Sequence, residues 1–294
     1  MTAVEAVVGA SEVEPARVQI QVVLYHSTRW LSRLLTGLRR LAPPPGGMVI
    51  RFYDNSPDPR TESAIADSRL SATYQPSPAG NLGFGPAHNR LAAEAPPGCE
   101  YLVFLNPDAL PQWDCLEELV HTADRAPRAG LVEAAQFPIE HPKAYDLSTW
   151  ETNWCSAACL LVRHSAFTEL GGFDPALFLY CEDVDLSWRA WLAGWRCLYV
   201  PSARCLHVTE AQDWHKDRSA ETFHSHLGHL YLRQKYFGEG AVQEYRQALL
   251  DQLAPSAAAR ILDGFAKLPK TRVERRDDPH IELTPGEVYA QRRW

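Results

Sequence analysis

Between residues 18 and 123 the chain alternates short apolar runs with stretches whose apolar residues return at helical spacing. No other feature narrows the fold so far, because every such run has to bury a face against a neighbour. Residues 18–25 (VQIQVVLY) alternate and then turn continuously apolar, as a buried strand does. Trp30, Leu31, Leu34, Leu35, Leu38 and Leu41 mark one helical stripe, which Pro43, Pro44 and Pro45 stop. Further strands are expected at 48–53, 71–75 and 101–105, and helices at 61–68, 86–95 and 113–123. This repeat predicts an α/β fold with a mostly parallel central sheet flanked by helices on both faces.

The second half is less regular. Strands are expected at 157–163 and 195–200, with a short one at 205–208, and helices at 164–170 and 183–193. Residues 217–237 and 241–265 carry a helical pattern. The chain therefore divides into a flexible leader (1–16), an α/β domain (17–210), a C-terminal helical lobe (211–270) and a charged, mobile tail (271–294). A formal net charge of −7 excludes a sequence-independent grip on nucleic acid, although Arg272, Arg275, Arg276, Arg292 and Arg293 leave the tail basic. Seven Cys without a C-x-x-C pair suit the reduced thiols of a cytoplasmic protein better than a disulfide framework. There is no signal-peptide pattern and no apolar run near the roughly 20 residues of a membrane helix. The expectation is a cytoplasmic protein with no transmembrane segment. Peripheral contact with the inner face of the membrane and a homodimer are both compatible with it.

Polar clusters stand where several strands end: Tyr25-His26-Ser27, Asp54-Asn55-Ser56 and Asn106-Pro107-Asp108. In open α/β sheets ligands bind beyond the carboxyl ends of strands, so these clusters should share one crevice. A lone Asp108 there suits a hard cation completed by substrate phosphates, though this segment by itself reads more readily as a turn. Glu182-Asp183-x-Asp185 opens a helix; acidic residues there answer the helix dipole, or one of them serves as a general base. Asn81-Leu-Gly83-Phe-Gly85 precedes a helix start, where glycine allows backbone to approach a phosphate. It is not a dinucleotide fingerprint, since His88 takes the third glycine position. His207 lies in an apolar stretch and reads as a satisfied core residue. His215, His224, His226 and His229 look metal-like, but helical spacing sets His224 and His226 about 200° apart, which suits a polar helix surface near an acceptor.

In this order the motifs resemble the family 2 glycosyltransferases with the GT-A fold, particularly the bacterial rhamnosyltransferase-like branch. The most specific stretch runs from CSAACLLVR (155–163) through GGFDP (171–175) to YCEDVDLSWR (180–189), with NLGFG (81–85) and LNPD (105–108) matching the same branch. The resemblance implies an inverting transferase that moves a sugar, L-rhamnose from dTDP-L-rhamnose, from a nucleotide-diphosphate donor to a hydroxyl of a saccharide or lipid-linked glycan in surface polysaccharide synthesis. It implies that Tyr25, His26, Asp54, Asn81, Gly83, Gly85 and Asn106 border the nucleotide. Asp108 and His207 would hold a divalent metal, Mg2+ or Mn2+, which reverses the reading of His207 as a core residue. Asp183 would be the catalytic base with Glu182 beside it, and Gly172, Phe173, Asp174 and Asp185 would shape the acceptor side. Two departures stand out: Asn106 replaces an Asp of the metal motif, and Ser156-Ala157 replaces a usual Gly. The rival reading is a non-catalytic carbohydrate- or nucleotide-sugar-binding protein on the same fold.

Overall fold

The computed structural model describes residues 16–141, 143–207, 219–274 and 278–283. The first half runs β1 (Val18–Leu24), α1 (Thr28–Leu38), β2 (Met48–Asp54), α2 (Pro59–Asp67), β3 (Ala72–Pro76), α3 (Phe84–Ala92), β4 (Tyr101–Leu105), β5 (Ala109–Pro111) and α4 (Cys115–Arg125). It continues with β6 (Ala129–Phe137), β7 (Cys159–Arg163), α5 (His164–Glu169), α6 (Glu182–Leu192) and β8 (Arg196–His207). Helices α7 (Ser219–Leu232), α8 (Glu239–Gln252) and α9 (Pro255–Ala266) follow, and α7 runs on into a π-helical turn, Arg233–Phe237.

All eight strands join one sheet in the order β3-β2-β1-β4-β7-β6-β8-β5. β1 pairs parallel with β2 and β4, β2 with β3, and β6 with β8, whereas β7 and β5 pair antiparallel to their neighbours. Six strands therefore point one way and two the other. The carboxyl ends of β1, β2, β3, β4, β6 and β8 lie on the same edge as the amino ends of β5 and β7. That edge is where the chemistry has to be sought.

β4 shows why the layers form. Its residues alternate between the two faces, so Tyr101, Val103 and Leu105 enter one core with α1 and α4. Leu102 and Phe104 enter the other, with Phe167, Phe173 and Leu186. A third core joins Trp188 of α6 to Tyr231 and Tyr236 of the C-terminal helices.

Several expectations need correction. β6 has no counterpart among the expected strands, because Ala and Gly dominate its run and Glu133 and Gln136 interrupt it, leaving Val132 and Phe137 as its sole β-branched and aromatic residues. β5 was likewise not expected; it is three residues long. The two strands expected at 195–200 and 205–208 are one, bent where the β6–β8 register shifts between Ala134 and Ala135. The helical run at 241–265 breaks before Pro255, which cannot continue a helix from the preceding residue. The tail is not loose over its described part. Val273, Ile281 and Leu283 pack into the third core, the Val273 N–H donates to the Lys235 carbonyl at 2.8 Å, and the His280 ring stacks on Trp191 at 3.5 Å. The leader (1–15), His215 and residues 284–294 lie outside the described residues.

Candidate active site

At the end of β1, Tyr25 (54% exposed) and His26 project from the edge with their rings 4.4 Å apart. His26 takes a left-handed φ of 49°, and its N–H donates to Ser56 Oγ at 2.6 Å. Asp54, expected to touch the base or ribose, is 1% exposed. Its Oδ1 accepts from the Ser56 N–H (2.9 Å) and Oδ2 from the Tyr74 hydroxyl (2.9 Å). Buried and engaged from within, Asp54 braces Ser56, which braces His26. Its contribution to a ligand is therefore indirect.

The glycine turn also works differently from the expectation. A Cβ on Gly83 (φ 90°) would stand 2.4 Å from the Phe178 carbonyl oxygen, and one on Gly85 would stand 2.8 Å from Phe173 Cβ. The missing side chains thus make room for this chain's own Phe173–Phe178 segment. The turn is held by Asn81 Oδ1, which accepts from the Gly83 N–H at 2.9 Å. Asn55, which the sequence reading left without a role, clamps it from the other side: Nδ2 donates to the Gly83 carbonyl and Oδ1 accepts from the Leu82 N–H, each at 3.0 Å. The Phe84 N–H then donates to the Phe178 carbonyl at 2.9 Å, tying the turn to the segment that leads into α6.

Strand pairing brings the two expected metal ligands together. Ala109 of β5 lies opposite His207 of β8, so Asp108 reaches the imidazole, with Oδ1 3.4 Å from Nε2. His207 Nδ1 is 2.9 Å from Gln136 Oε1, which leaves Nε2 as the nitrogen facing Asp108. Asp108 keeps 22% of its side chain accessible. One carboxylate and one imidazole side by side, open on one face, fit a divalent ion that draws its remaining ligands from phosphate oxygens and water. Among the described residues no cluster of three or more His, Cys, Asp or Glu side chains forms a closed metal cage.

Asp183 lies on the same edge. The Asn106 N–H donates to the Ala158 carbonyl at 2.9 Å, and the neighbouring Ala157 N–H donates to Asp183 Oδ2 at 3.2 Å. The Asp108 turn and Asp183 are thus joined through two consecutive residues. Ala157 thus supplies a backbone donor at the position where the resemblance implied a Gly. Glu182 is 5% exposed and its Oε2 has no partner. Burial, then the charge of Asp183, pushes the Glu182 carboxyl well above the usual carboxylate range. The pair is asymmetric, with Glu182 buried and its carboxyl shifted upward and Asp183 half-buried at the helix N-terminus.

The acceptor-side expectations fare differently. Phe173 is fully buried among Phe84, Phe104 and Phe167, and Gly172 sits where a Cβ would strike Asn89 Oδ1 at 2.5 Å. Asp185 is 0% exposed: Lys235 Nζ (2.5 Å), the Tyr236 hydroxyl (2.8 Å) and Arg189 Nε (2.7 Å) occupy its carboxylate. Lys235 also donates to Asp174 Oδ2 at 2.6 Å. These four residues build the wall rather than its surface. Lys235 escaped the sequence reading because nothing local distinguishes it from a solvated lysine on a helix. His226 and His229, expected on a polar surface, are buried. His226 Nδ1 lies 2.8 Å from the Tyr245 hydroxyl, and burial pushes the His229 imidazole down to about 3. His224 is stacked on Phe178.

Comparison with known proteins agrees with the fold and with the family. The family model described as glycosyltransferase like family 2 matches residues 151–223. An N-acetylglucosaminyl-diphospho-decaprenol L-rhamnosyltransferase of Mycobacterium tuberculosis is 28% identical over 266 residues, covering 74% of this chain and 85% of that protein. The rhamnosyltransferase WbbL of Escherichia coli (strain K12) is 31% identical over 186 residues, covering 50% of this chain and 68% of the relative. Among solved structures, a mannosyltransferase from Pyrobaculum calidifontis in complex with GDP-Man and Mn2+ superposes with a TM-score of 0.62 at 18% identity, over 87% of this chain and 77% of that one. GalNAc-T7 with UDP, GalNAc and Mn2+ gives 0.64 at 13% identity, over 85% and 55%. The architecture is thus that of the GT-A glycosyltransferases. The chain belongs to glycosyltransferase family 2 and is a sugar-transferring enzyme with rhamnosyltransferase relatives. Among the described residues no helix is long and apolar enough to cross a membrane.

Proposed function

We propose that this chain is a divalent-metal-dependent, inverting rhamnosyltransferase. It takes L-rhamnose from dTDP-L-rhamnose and delivers it to a saccharide hydroxyl on a lipid-linked glycan at the cytoplasmic face of the membrane. The transferred sugar and the lipid-linked acceptor are those named for the rhamnosyltransferase relatives, and the dTDP carrier follows from the family resemblance of the motifs. The reaction chemistry is supported by one observation: the hydrogen-bonded path from Asn106 through Ala158 and Ala157 to Asp183 runs along one sheet edge, which the Asp108–His207 pair and this partly accessible carboxylate share.

In this reading Asp108 and His207 hold the ion, which when bound neutralises charge on the departing diphosphate. Tyr25 and His26 flank the nucleobase or ribose, and Asn81 holds the turn below it. Asp183 takes the proton of the acceptor hydroxyl as that oxygen attacks the anomeric carbon from the side opposite the nucleotide, so configuration inverts. The neighbouring Glu182 has its carboxyl pushed upward by burial and by the charge of Asp183, which disfavours a second negative charge beside the base. The α/β region 17–210 carries all of these groups, and the helices after it back the acceptor wall.

The test is nucleotide release from dTDP-, UDP- and GDP-sugars, with and without a polyprenyl-diphosphate-linked N-acetylglucosamine and Mn2+. Activity should require dTDP-L-rhamnose, acceptor and metal together. Asp183→Asn should lower turnover about 10²–10⁴-fold with donor binding retained, the usual loss of a general base. Near-normal turnover of that variant would remove Asp183 from its role, and full activity in excess chelator would remove the ion.

A further inference from the structure

Beneath the Asp108–His207 pair lies a buried polar chain that the reaction scheme does not use. Gln136 and Glu133, both on β6, are 4% and 2% exposed. Gln136 Oε1 is 2.9 Å from His207 Nδ1, and Gln136 Nε2 donates to Glu133 Oε1 at 3.2 Å. Lys143, almost fully buried, pairs with Glu133 Oε2 and donates to the Trp154 carbonyl at 3.1 Å. Residues three apart on a regular strand face opposite ways, yet these two side chains meet. The break in the β6–β8 register falls between them, at Ala134 and Ala135. Burying a glutamate of the sheet together with a lysine from the β6–β7 connection is costly, and packing alone gives no reason for it.

We infer that Glu133 and Gln136 are positioning residues that hold His207 in its Nδ1–H tautomer, so that the Nε2 lone pair faces Asp108 and the incoming ion. The logic is that of donors and acceptors. An ionised carboxylate only accepts, so the amide nitrogen of Gln136 must turn toward Glu133. The amide oxygen is then left for His207, and only an N–H on Nδ1 can meet it. The second ring nitrogen is therefore bare, the form in which imidazole binds a metal. Lys143 fixes the far oxygen of Glu133 and keeps the orientation from reversing. The ligand part of this inference rests on the proposed metal role of His207, whereas the tautomer part stands on the hydrogen bonds and on Glu133 being ionised.

The two parts separate experimentally. Imidazole 15N shifts of His207 in the metal-free protein at pH 8, assigned with His207→Gln, report the tautomer directly. The pH lies above the value of about 7 to which burial raises Glu133. The wild type should show a protonated Nδ1 and a bare Nε2. Gln136→Leu should lose that preference, and Glu133→Gln, whose amide can face Gln136 either way, should weaken it. Free Mn2+ counted by electron paramagnetic resonance in the presence of dTDP should show affinity lowered about 10–100-fold by Gln136→Leu, as for loss of the group that orients a ligand. A proton on Nε2 in the wild type would overturn the inference without any variant having to fold, as would a folded Gln136→Leu that keeps the Nδ1–H form. If the tautomer follows the variants while Mn2+ affinity stays constant in Gln136→Leu and in His207→Gln, the positioning stands and His207 is removed as a metal ligand.

Discussion

Replacing Lys235 by Met keeps most of its apolar stem and removes the charge that two carboxylates share. Lys235 Nζ stands 2.5 Å from Asp185 Oδ1 and 2.6 Å from Asp174 Oδ2, with side-chain exposures of 4%, 0% and 16% for the three residues. Stripping one partner from a buried ion pair costs 3–5 kcal/mol in general, because the remaining charge is left without compensation. Here the remainder is partly satisfied. Asp185 keeps Arg189 and the Tyr236 hydroxyl, and Asp174 keeps the Tyr231 hydroxyl and the Ala176 N–H. The expected loss is therefore at the lower end, about 3 kcal/mol. Urea unfolding followed by tryptophan fluorescence measures it, since the Trp188 ring contacts Tyr236 at 5.0 Å and reports on this junction. Asp174→Asn should destabilise on its own, and the double variant should lose about 1–2 kcal/mol less than the sum of the single ones, as groups in one network do. A loss below about 1 kcal/mol for Lys235→Met, or strict additivity, would refute the structural reading of Asp174 and Asp185. A rise in acceptor KM at unchanged stability would return them to the acceptor side.

Tyr25→Ala should leave stability within about 0.5 kcal/mol, as exposed sites do, and weaken dTDP binding about tenfold if the ring stacks on the base; calorimetric titration measures it, and unchanged affinity would take Tyr25 out of the donor site. Gly228→Ala would set a Cβ 2.9 Å from Cys181 Cβ and 3.0 Å from the Tyr180 carbonyl, beside two residues held at φ 67° and 68° just before Glu182. We expect a loss of about 1–3 kcal/mol with a lowered kcat, and an unaffected kcat would show that the entry to α6 does not depend on α7. Burial is the first cause, against the opposing charge of Lys143, that raises Glu133 from 4.5 to about 7. Between these values the folded chain holds a proton that the unfolded chain has released. The contribution is complete below pH 4.5 and is lost as pH rises through about 7, worth about 3 kcal/mol. The difference in urea midpoint between wild type and Glu133→Gln, followed from pH 4.5 to 8, should carry this slope, and a flat difference would contradict it.

Local pattern determined a good deal. The apolar runs at 18–25, 48–53 and 101–105 and the leucine stripe from Trp30 became β1, β2, β4 and α1 almost as expected, because their burial on one or two faces is written in their own periodicity. Asp183 at the start of a helix, and Asp108 just past a strand, were legible for the same reason, since strand ends and helix starts are local events. What local pattern could not supply was β6, whose polar residues have partners far along the chain, His207 being 71 residues from Gln136. Nor could it distinguish Asp185 from Asp183, two positions apart on one helix. Asp183 faces the sheet edge, and Asp185 is spent on Lys235, 50 residues away. Glycines 83 and 85 looked like a cradle for phosphate and proved to be clearances for Phe178 and Phe173. The chain by itself thus specified which segments are buried and which polar residues stand at strand ends and helix starts. The sheet order and the packing of the C-terminal helices decided which of those residues stay open on the sheet edge, because that depends on what occupies the other side of each group, and those occupants come from distant parts of the sequence.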